Sequence, residues 1–201
     1  MIILCGPSAS GKTEVAKLLA SKYNIKKAIT NTTRPIRINE VNHVDYHFTN
    51  KEEFLELASK DYFVETACYN NNYYGCAKNE VADNKAVILE PQGVTNFLKL
   101  NDPHIVVFVL MCSEVTRVNR MTYRGDSQSS IEERVKNDRI AFSSDKLSFA
   151  DFTINTDDKT LMEITDLVYQ LYNDKILPDF EQNLEESKSE ENQSSSFFGN
   201  F

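Results

Sequence analysis

No stretch of this chain is long and apolar enough to span a bilayer. Its 201 residues include only four cysteines, three histidines, and 22 basic residues against 30 acidic ones. The first absence excludes a helical membrane span. Cys5, Cys68, Cys76 and Cys112 lack metal-ligand spacing, and two of them fall in apolar strand-like runs, so reduced thiols are expected rather than disulfides. The histidines are equally scattered, which leaves no basis for a structural zinc site. A formal charge of −8 argues against a surface that coats nucleic acid. The opening residues read as a strand, not a signal peptide, and the expected location is the cytoplasm.

What is present is the composition of a soluble globular protein, 41% hydrophobic and 26% charged, at a length that holds one buried core with insertions. Much of the negative charge sits at one end. Residues 178–201 hold six acids (Asp179, Glu181, Glu185, Glu186, Glu190 and Glu191) against Lys188 alone. This stretch has no apolar periodicity and reads as a disordered acidic tail that ends in Phe197, Phe198 and Phe201.

Directly after the apolar run Met1–Cys5 comes GPSASGKT, Gly6 to Thr13, which matches the pattern G-x-x-x-x-G-K-[ST] at every fixed position. The pattern has a physical basis. Gly6 and Gly11 let the backbone fold back, so that successive amides and the next helix's N-terminus face phosphate oxygens. Lys12 adds a mobile positive charge, and Thr13 offers a hydroxyl to a magnesium ion bridging the β- and γ-phosphates. Gly6, Pro7, Ser8, Ala9, Ser10, Gly11, Lys12 and Thr13 are therefore the expected donor-nucleotide site, with Thr13 as metal ligand. The apolar face of Val15, Ala16, Leu18, Leu19 and Ala20 predicts a helix running to about Tyr23.

Further strand-like runs occur at Ala86–Glu90, Ile105–Met111 and, shorter, Phe152–Ile154, and a last helix is expected at about Lys159–Asn173. A P-loop after the first strand, with long connections between strands, predicts an α/β fold of the P-loop kinase type, a parallel sheet sandwiched by helices. The expected domain is 1–177, with its core at about 1–29, 85–112 and 140–176. Two stretches do not fit that core: about 30–84, polar and aromatic, and about 113–139, rich in Arg, Ser and Glu. They read as an inserted acceptor-binding subdomain and a lid. A kinase must keep water from the phosphoryl group in transit, which gives mobile covers a purpose.

Three further motifs name an acceptor. TNTTRPIR (Thr30 to Arg37) is followed by EVNHVDYHF (Glu40 to Phe48), and then by Asn72-Tyr73-Tyr74-Gly75. Here the chain resembles the guanylate kinase family, and the resemblance runs from the P-loop to about Asn155. It implies that Arg34, Arg37, Tyr46 and Tyr74 grip the phosphate of GMP, and the chemistry agrees. A monophosphate carries roughly two negative charges near neutral pH, which planar bidentate donors and neutral hydroxyls satisfy. By the same resemblance, Glu65 accepts hydrogen bonds from the guanine ring N–H and amino group, an edge that adenine cannot match. Thr30 stands where the family has a serine near the base or phosphate. Tyr73 is left as a packing residue.

The sequence departs from the family twice. Cys76 stands where a Ser or Thr usually donates to the guanine carbonyl, and a thiol is the weaker donor. Aligned on Gln92-Gly93, the family carries two aspartates where this chain has Ile88 and Glu90; Glu90 keeps the second carboxylate, and Ile88 removes the first. The lid motif is recognisable in Arg120, Arg124 and Arg134, arginines that stabilise charge on a transferring phosphoryl group. Arg139 reads as plain surface charge. Asn155, ending the last strand-like run, matches the family's donor-adenine asparagine.

The resemblance thus implies ATP-dependent phosphorylation of GMP or dGMP to the diphosphate with Mg2+, by a monomer or homodimer that binds neither nucleic acid nor membrane. Two alternatives are a non-catalytic guanylate-kinase-like module that binds phosphorylated or acidic peptides, and a kinase for another purine monophosphate. The complete P-loop favours an enzyme over the first, and the guanine-like edge disfavours the second. A kinase for phosphorylated sugars would have no use for Glu65 or Tyr74.

Overall fold

The structure is a computed structural model that describes residues 1–36, 40–69 and 71–177; Arg37 and the acidic tail lie outside them. In chain order the elements are β1 (Ile2–Cys5), α1 (Lys12–Tyr23), β2 (Lys26–Lys27), β3 (Asn31–Thr32), β4 (His47–Phe48), α2 (Lys51–Ser59), β5 (Phe63–Tyr69), β6 (Asn72–Ala77), β7 (Lys85–Ile88), α3 (Pro91–Leu98), β8 (Val106–Met111), α4 (Glu114–Tyr123), α5 (Gln128–Ala141), β9 (Phe152–Asn155) and α6 (161–177).

Five strands form one parallel sheet in the order β2-β7-β1-β8-β9. β1 lies at its centre, with Ile3 opposite Val87 on one side and Val107 on the other. Every residue of β1 is fully buried, as an uninterrupted apolar run in a doubly covered parallel sheet must be. Alternate side chains feed two cores. Ile2, Leu4 and Phe108 pack with Val15 and Leu19 of α1 and Ile164, Val168 and Tyr172 of α6, while Ile3, Val87 and Val107 pack with Val94 and Phe97 of α3 and Phe142. This is the helix-flanked parallel sheet that the P-loop and strand spacing predict.

Two of the boundaries that differ from the sequence reading have clear local reasons. β7 stops at Ile88 because Pro91 begins α3, and Glu90, extended at φ −80°, ψ 160°, is the residue before that helix. The last helix starts at 161, not 159, since Thr160 caps it: Thr160 N donates to Glu163 Oε2 at 2.7 Å and Glu163 N returns a bond to Thr160 Oγ1 at 3.2 Å.

The polar, aromatic stretch between residues 30 and 84 contains a second sheet, in the order β4-β3-β6-β5, which the sequence reading did not foresee. β5 and β6 are an antiparallel pair with Glu65 opposite Cys76. Phe54 of α2 stacks on Phe63 and Tyr73, with ring centroids 4.7 and 5.5 Å apart, so Tyr73 is a packing residue. α4 and α5 meet through Met121, Ile131 and Val135, and the seam rests on Ala9 of the P-loop.

Candidate active site

The P-loop geometry follows from its small residues. Gly6 has φ +144°, and a Cβ there would lie 2.3 Å from the Leu110 main-chain oxygen, so no side chain fits. Gly11 at φ +103° and Ala9 at φ +61° also take left-handed backbone, and such turns swing successive amides toward one point. Lys12 Nζ donates to Gly6 O at 2.5 Å and Pro7 O at 2.8 Å. Burial pushes its ammonium pKa down, opposed chiefly by the Glu90 carboxylate. Thr156 Oγ1 donates to Ser10 O at 3.3 Å, tying the loop to the end of β9. Ser10 Oγ is buried with no hydrogen-bond partner.

The two helices α4 and α5 touch the loop directly. Asp138 Oδ2 on α5 accepts from the Ser8 amide at 2.9 Å and from Arg117 Nη1 of α4 at 2.7 Å. Arg117 is buried and its Nε has no partner. Arg120 Nη1 donates to Ala9 O at 3.0 Å, which brings one expected lid arginine to the loop. The other two are engaged within the α4–α5 segment: Arg124 Nε pairs with Asp126 at 3.0 Å and Arg134 Nε donates to Ser130 Oγ at 3.3 Å. Arg139 forms a two-bond pair with Glu114 at 2.7 and 2.6 Å on the surface.

Facing the P-loop, a cavity of about 210 Å3 is lined by Thr13, Lys27, Ala28, Thr30, Tyr46, Val87 and Ile88. It brings Thr13, the expected metal ligand, together with Thr30 and Tyr46 of the acceptor set. Tyr74 joins them edge-on, its ring centroid 6.3 Å from that of Tyr46. Arg34 packs its guanidinium 5.4 Å from the Tyr46 ring centroid, but both ends of its fork are engaged by Glu40, at 2.7 and 3.0 Å. A larger, shallower hollow of about 390 Å3 beside Arg34, which also touches Ile36, Phe48 and Asn50, includes no P-loop residue.

Glu65 is a buried carboxyl, and burial raises its pKa to about 7 even though the Cys76 amide donates to it. Its Oε2 lies 3.3 Å from where a Cβ on Gly93 would be, so it is close-packed against the start of α3. The Cys76 thiol is fully buried and belongs to the core that contains Ile3 and Val87, and burial lifts its pKa to about 12. Glu90 also has a raised pKa, from desolvation that Lys12 partly offsets. The Asn155 side chain accepts from the Asp157 amide at 2.9 Å, closing a turn at the strand end.

Of the groups that shape the site, Lys27, Arg117, Asp138 and Thr156 carry no sequence signal. Each lies outside a recognisable motif and reaches the site only through the fold. For a magnesium ion, the cleft offers the Thr13 hydroxyl and no carboxylate, since Ile88 occupies the end of β7. That fits a hard cation taking one protein oxygen and completing its shell with phosphate and water. Among the described residues there is no group of three or more His, Cys, Asp or Glu placed to hold a metal, and no helix is long and apolar enough to cross a membrane.

Comparison with known proteins agrees with this geometry. The family described as Guanylate kinase matches residues 1–171. The chain is 32% identical over 180 residues to a guanylate kinase of Mycoplasma genitalium, covering 84% of this chain and 74% of that protein. To one of Mycoplasmoides gallisepticum it is 35% identical over 179 residues, covering 84% and 91%. The crystal structure of guanylate kinase from Anaplasma phagocytophilum superposes with a TM-score of 0.63 at 25% identity, covering 86% of this chain and 84% of that one. With its P-loop core and its Glu65-bearing second sheet, the chain belongs to the guanylate kinase family.

Proposed function

We propose that this protein transfers the γ-phosphoryl group of ATP to GMP or dGMP, giving ADP and the guanine nucleoside diphosphate. One observation carries the reading. The cleft that contains Thr13 of the P-loop also contains Thr30 and Tyr46, which directly precede β3 and β4, and the buried acid Glu65 lies on the same sheet as those strands. A carboxyl kept out of water, with an amide donating to it, suits a ligand edge that presents two N–H groups, as guanine does.

In this reading the P-loop amides, Lys12 and Asn155 hold ATP. Arg34, Arg37, Tyr46, Tyr74 and Thr30 hold the acceptor phosphate. Glu65 reads the base, with Cys76 holding that carboxylate through its amide and Glu90 closing the far edge. Thr13 would hold magnesium, which, when bound, neutralises charge on the β- and γ-phosphates.

The acceptor needs no general base, because its phosphate is ionised at neutral pH and its oxygen is itself the nucleophile. That oxygen bonds to the γ-phosphorus as the bond to the β-bridging oxygen breaks, and ADP departs with the electron pair. The protein's work is alignment, charge compensation and exclusion of water. Lys12 must exchange its Gly6 and Pro7 carbonyls for phosphate oxygens. Arg124 and Arg134 must likewise leave Asp126 and Ser130 as the lid closes, while Arg120 is already on the loop. The protein acts in the cytoplasm on free nucleotides, as a monomer or homodimer.

The test is a coupled ADP-release assay with ATP, magnesium and a panel of nucleoside monophosphates. Turnover with GMP or dGMP at a kcat/KM at least a hundredfold above AMP is expected. Turnover with none of them would remove the kinase reading and leave a binding module.

A further inference from the structure

Lys27, the last residue of β2, forms part of the cleft wall together with Thr13, Thr30 and Tyr46. Its Nζ lies 4.8 Å from the Tyr46 ring centroid and donates to the Asp45 main-chain oxygen at 3.0 Å. That bond uses one of the ammonium's three N–H groups. The residue as a whole is exposed, but partial desolvation where its ammonium meets the cleft wall lowers its pKa, with the carboxylates of Asp45 and Glu40 opposing the shift.

The rest of the lining gives this charge its meaning. Thr13 and Thr30 offer hydroxyls and Tyr46 a phenol, while Ala28, Val87 and Ile88 are apolar. The cavity therefore combines one cation and three hydroxyl groups with no carboxylate, and low-polarity walls strengthen the attraction for an anion. Arg34, also against the Tyr46 ring, differs in this respect, because its fork is already paired with Glu40. Lys27 is also at the carboxyl end of a parallel strand, where open α/β sheets present ligands.

We propose that Lys27 is an acceptor-phosphate ligand of this chain, its ammonium taking the monophosphate between Thr13 and Tyr46 so that the cleft selects nucleotide over nucleoside. The inference rests on the acceptor site as read above. Because Tyr46 and the Asp45 carbonyl already fix the ammonium, little ordering cost remains on binding. A point charge also follows the phosphate oxygens as one of them moves toward the γ-phosphorus, which a planar fork does less well. Its neutralising charge reduces repulsion between the acceptor and the donor phosphates.

The experiment is calorimetric titration of GMP and of guanosine into the wild-type protein, Lys27→Met and Lys27→Arg, with steady-state kinetics on the same samples. Lys27→Met should weaken GMP binding about tenfold or more, the size of one lost charge-assisted contact, and raise KM for GMP to match. Guanosine affinity and KM for ATP should stay within about twofold, and Lys27→Arg should recover most of the loss. Unchanged GMP affinity in Lys27→Met alongside wild-type GMP turnover would overturn the proposal and leave the acceptor reading standing. An equal loss for guanosine and GMP would also overturn it, since Lys27 would then only support the loop. Failure of the wild-type protein to bind or phosphorylate GMP would overturn both.

Discussion

The Ser8 amide inside the P-loop donates at 2.9 Å to Asp138 on α5, and the same carboxylate oxygen receives Arg117 of α4 at 2.7 Å. Through this one oxygen the P-loop is joined to both α4 and α5. Arg120, on the Ala9 carbonyl, makes a second joint. The P-loop and the α4–α5 pair are therefore tied together by hydrogen bonds at two points.

That link is energetically exposed, because Arg117 and Asp138 are 6% and 12% accessible. Asp138→Ala leaves a buried guanidinium without its partner and should cost about 3 kcal/mol of stability. Replacing both residues, as Asp138→Ala with Arg117→Leu, should recover most of that loss. Urea unfolding of the wild-type protein and these two variants checks this. A single-variant loss under about 0.5 kcal/mol would mean the pair is solvated and does not act as a joint.

Gly6 and Gly125 both have positive φ, but a Cβ at Gly6 meets the Leu110 oxygen at 2.3 Å while one at Gly125 meets nothing within 4 Å. Gly125→Ala should therefore cost only the left-handed backbone penalty, about 1 kcal/mol. Gly6→Ala adds a steric clash, which should raise the loss to about 3 kcal/mol and weaken ATP binding at least tenfold. Thermal unfolding and nucleotide titration separate the two. Equal effects would show that the loop yields at Gly6.

Glu65 makes stability depend on pH. Its folded pKa, about 7, lies above the ordinary 4.5, so between those values the folded protein keeps a proton that the unfolded chain has released. The stabilisation is complete below about pH 4.5 and is lost as pH rises through 7, about 3 kcal/mol in all for this group. Glu65→Gln should flatten that part of the profile and be the more stable form at pH 8. It should also weaken GMP binding, because its amide N–H₂ opposes the guanine donors. Urea midpoints from pH 5 to 8 check the slope, and parallel curves for both proteins would contradict the assignment.

The cysteines should separate by burial. Cys68 is exposed, whereas Cys5 and Cys76 are buried, with thiols pushed up to about 12. A thiol reagent at pH 8 should modify Cys68 rapidly and Cys76 only on unfolding. Modification of Cys76 at a rate like that of Cys68, slowed by GMP, would place the thiol in the base site and not behind it.

Where a residue's role depends on a local pattern, the sequence was readable. The P-loop needs glycine at two spacings, a long apolar run makes β1 a central strand, and Glu65 and Tyr74 come with recognisable neighbours. Roles created by distant contacts were not readable. Asp138 is one acid among several on a charged helix until α5 is laid against Ser8, and Lys27 looks like any surface lysine until β2 is placed beside Thr13. In the second sheet, β3 and β4 are two residues long, too short for alternation to show. At Cys76 the sequence offers only the thiol as a candidate group; the fold adds that its amide donates to Glu65 and that its side chain is buried in the cluster with Ile3 and Val87.

The most direct measurement is the identity of the products. ATP, GMP and magnesium incubated with the wild-type protein and with Lys12→Ala would be resolved by 31P NMR. GDP and ADP in equal amounts from the wild-type protein, and neither from a folded Lys12→Ala, is the predicted result. ADP with inorganic phosphate and no GDP, or undiminished GDP formation by Lys12→Ala, would contradict phosphoryl transfer through this P-loop to a guanine nucleotide.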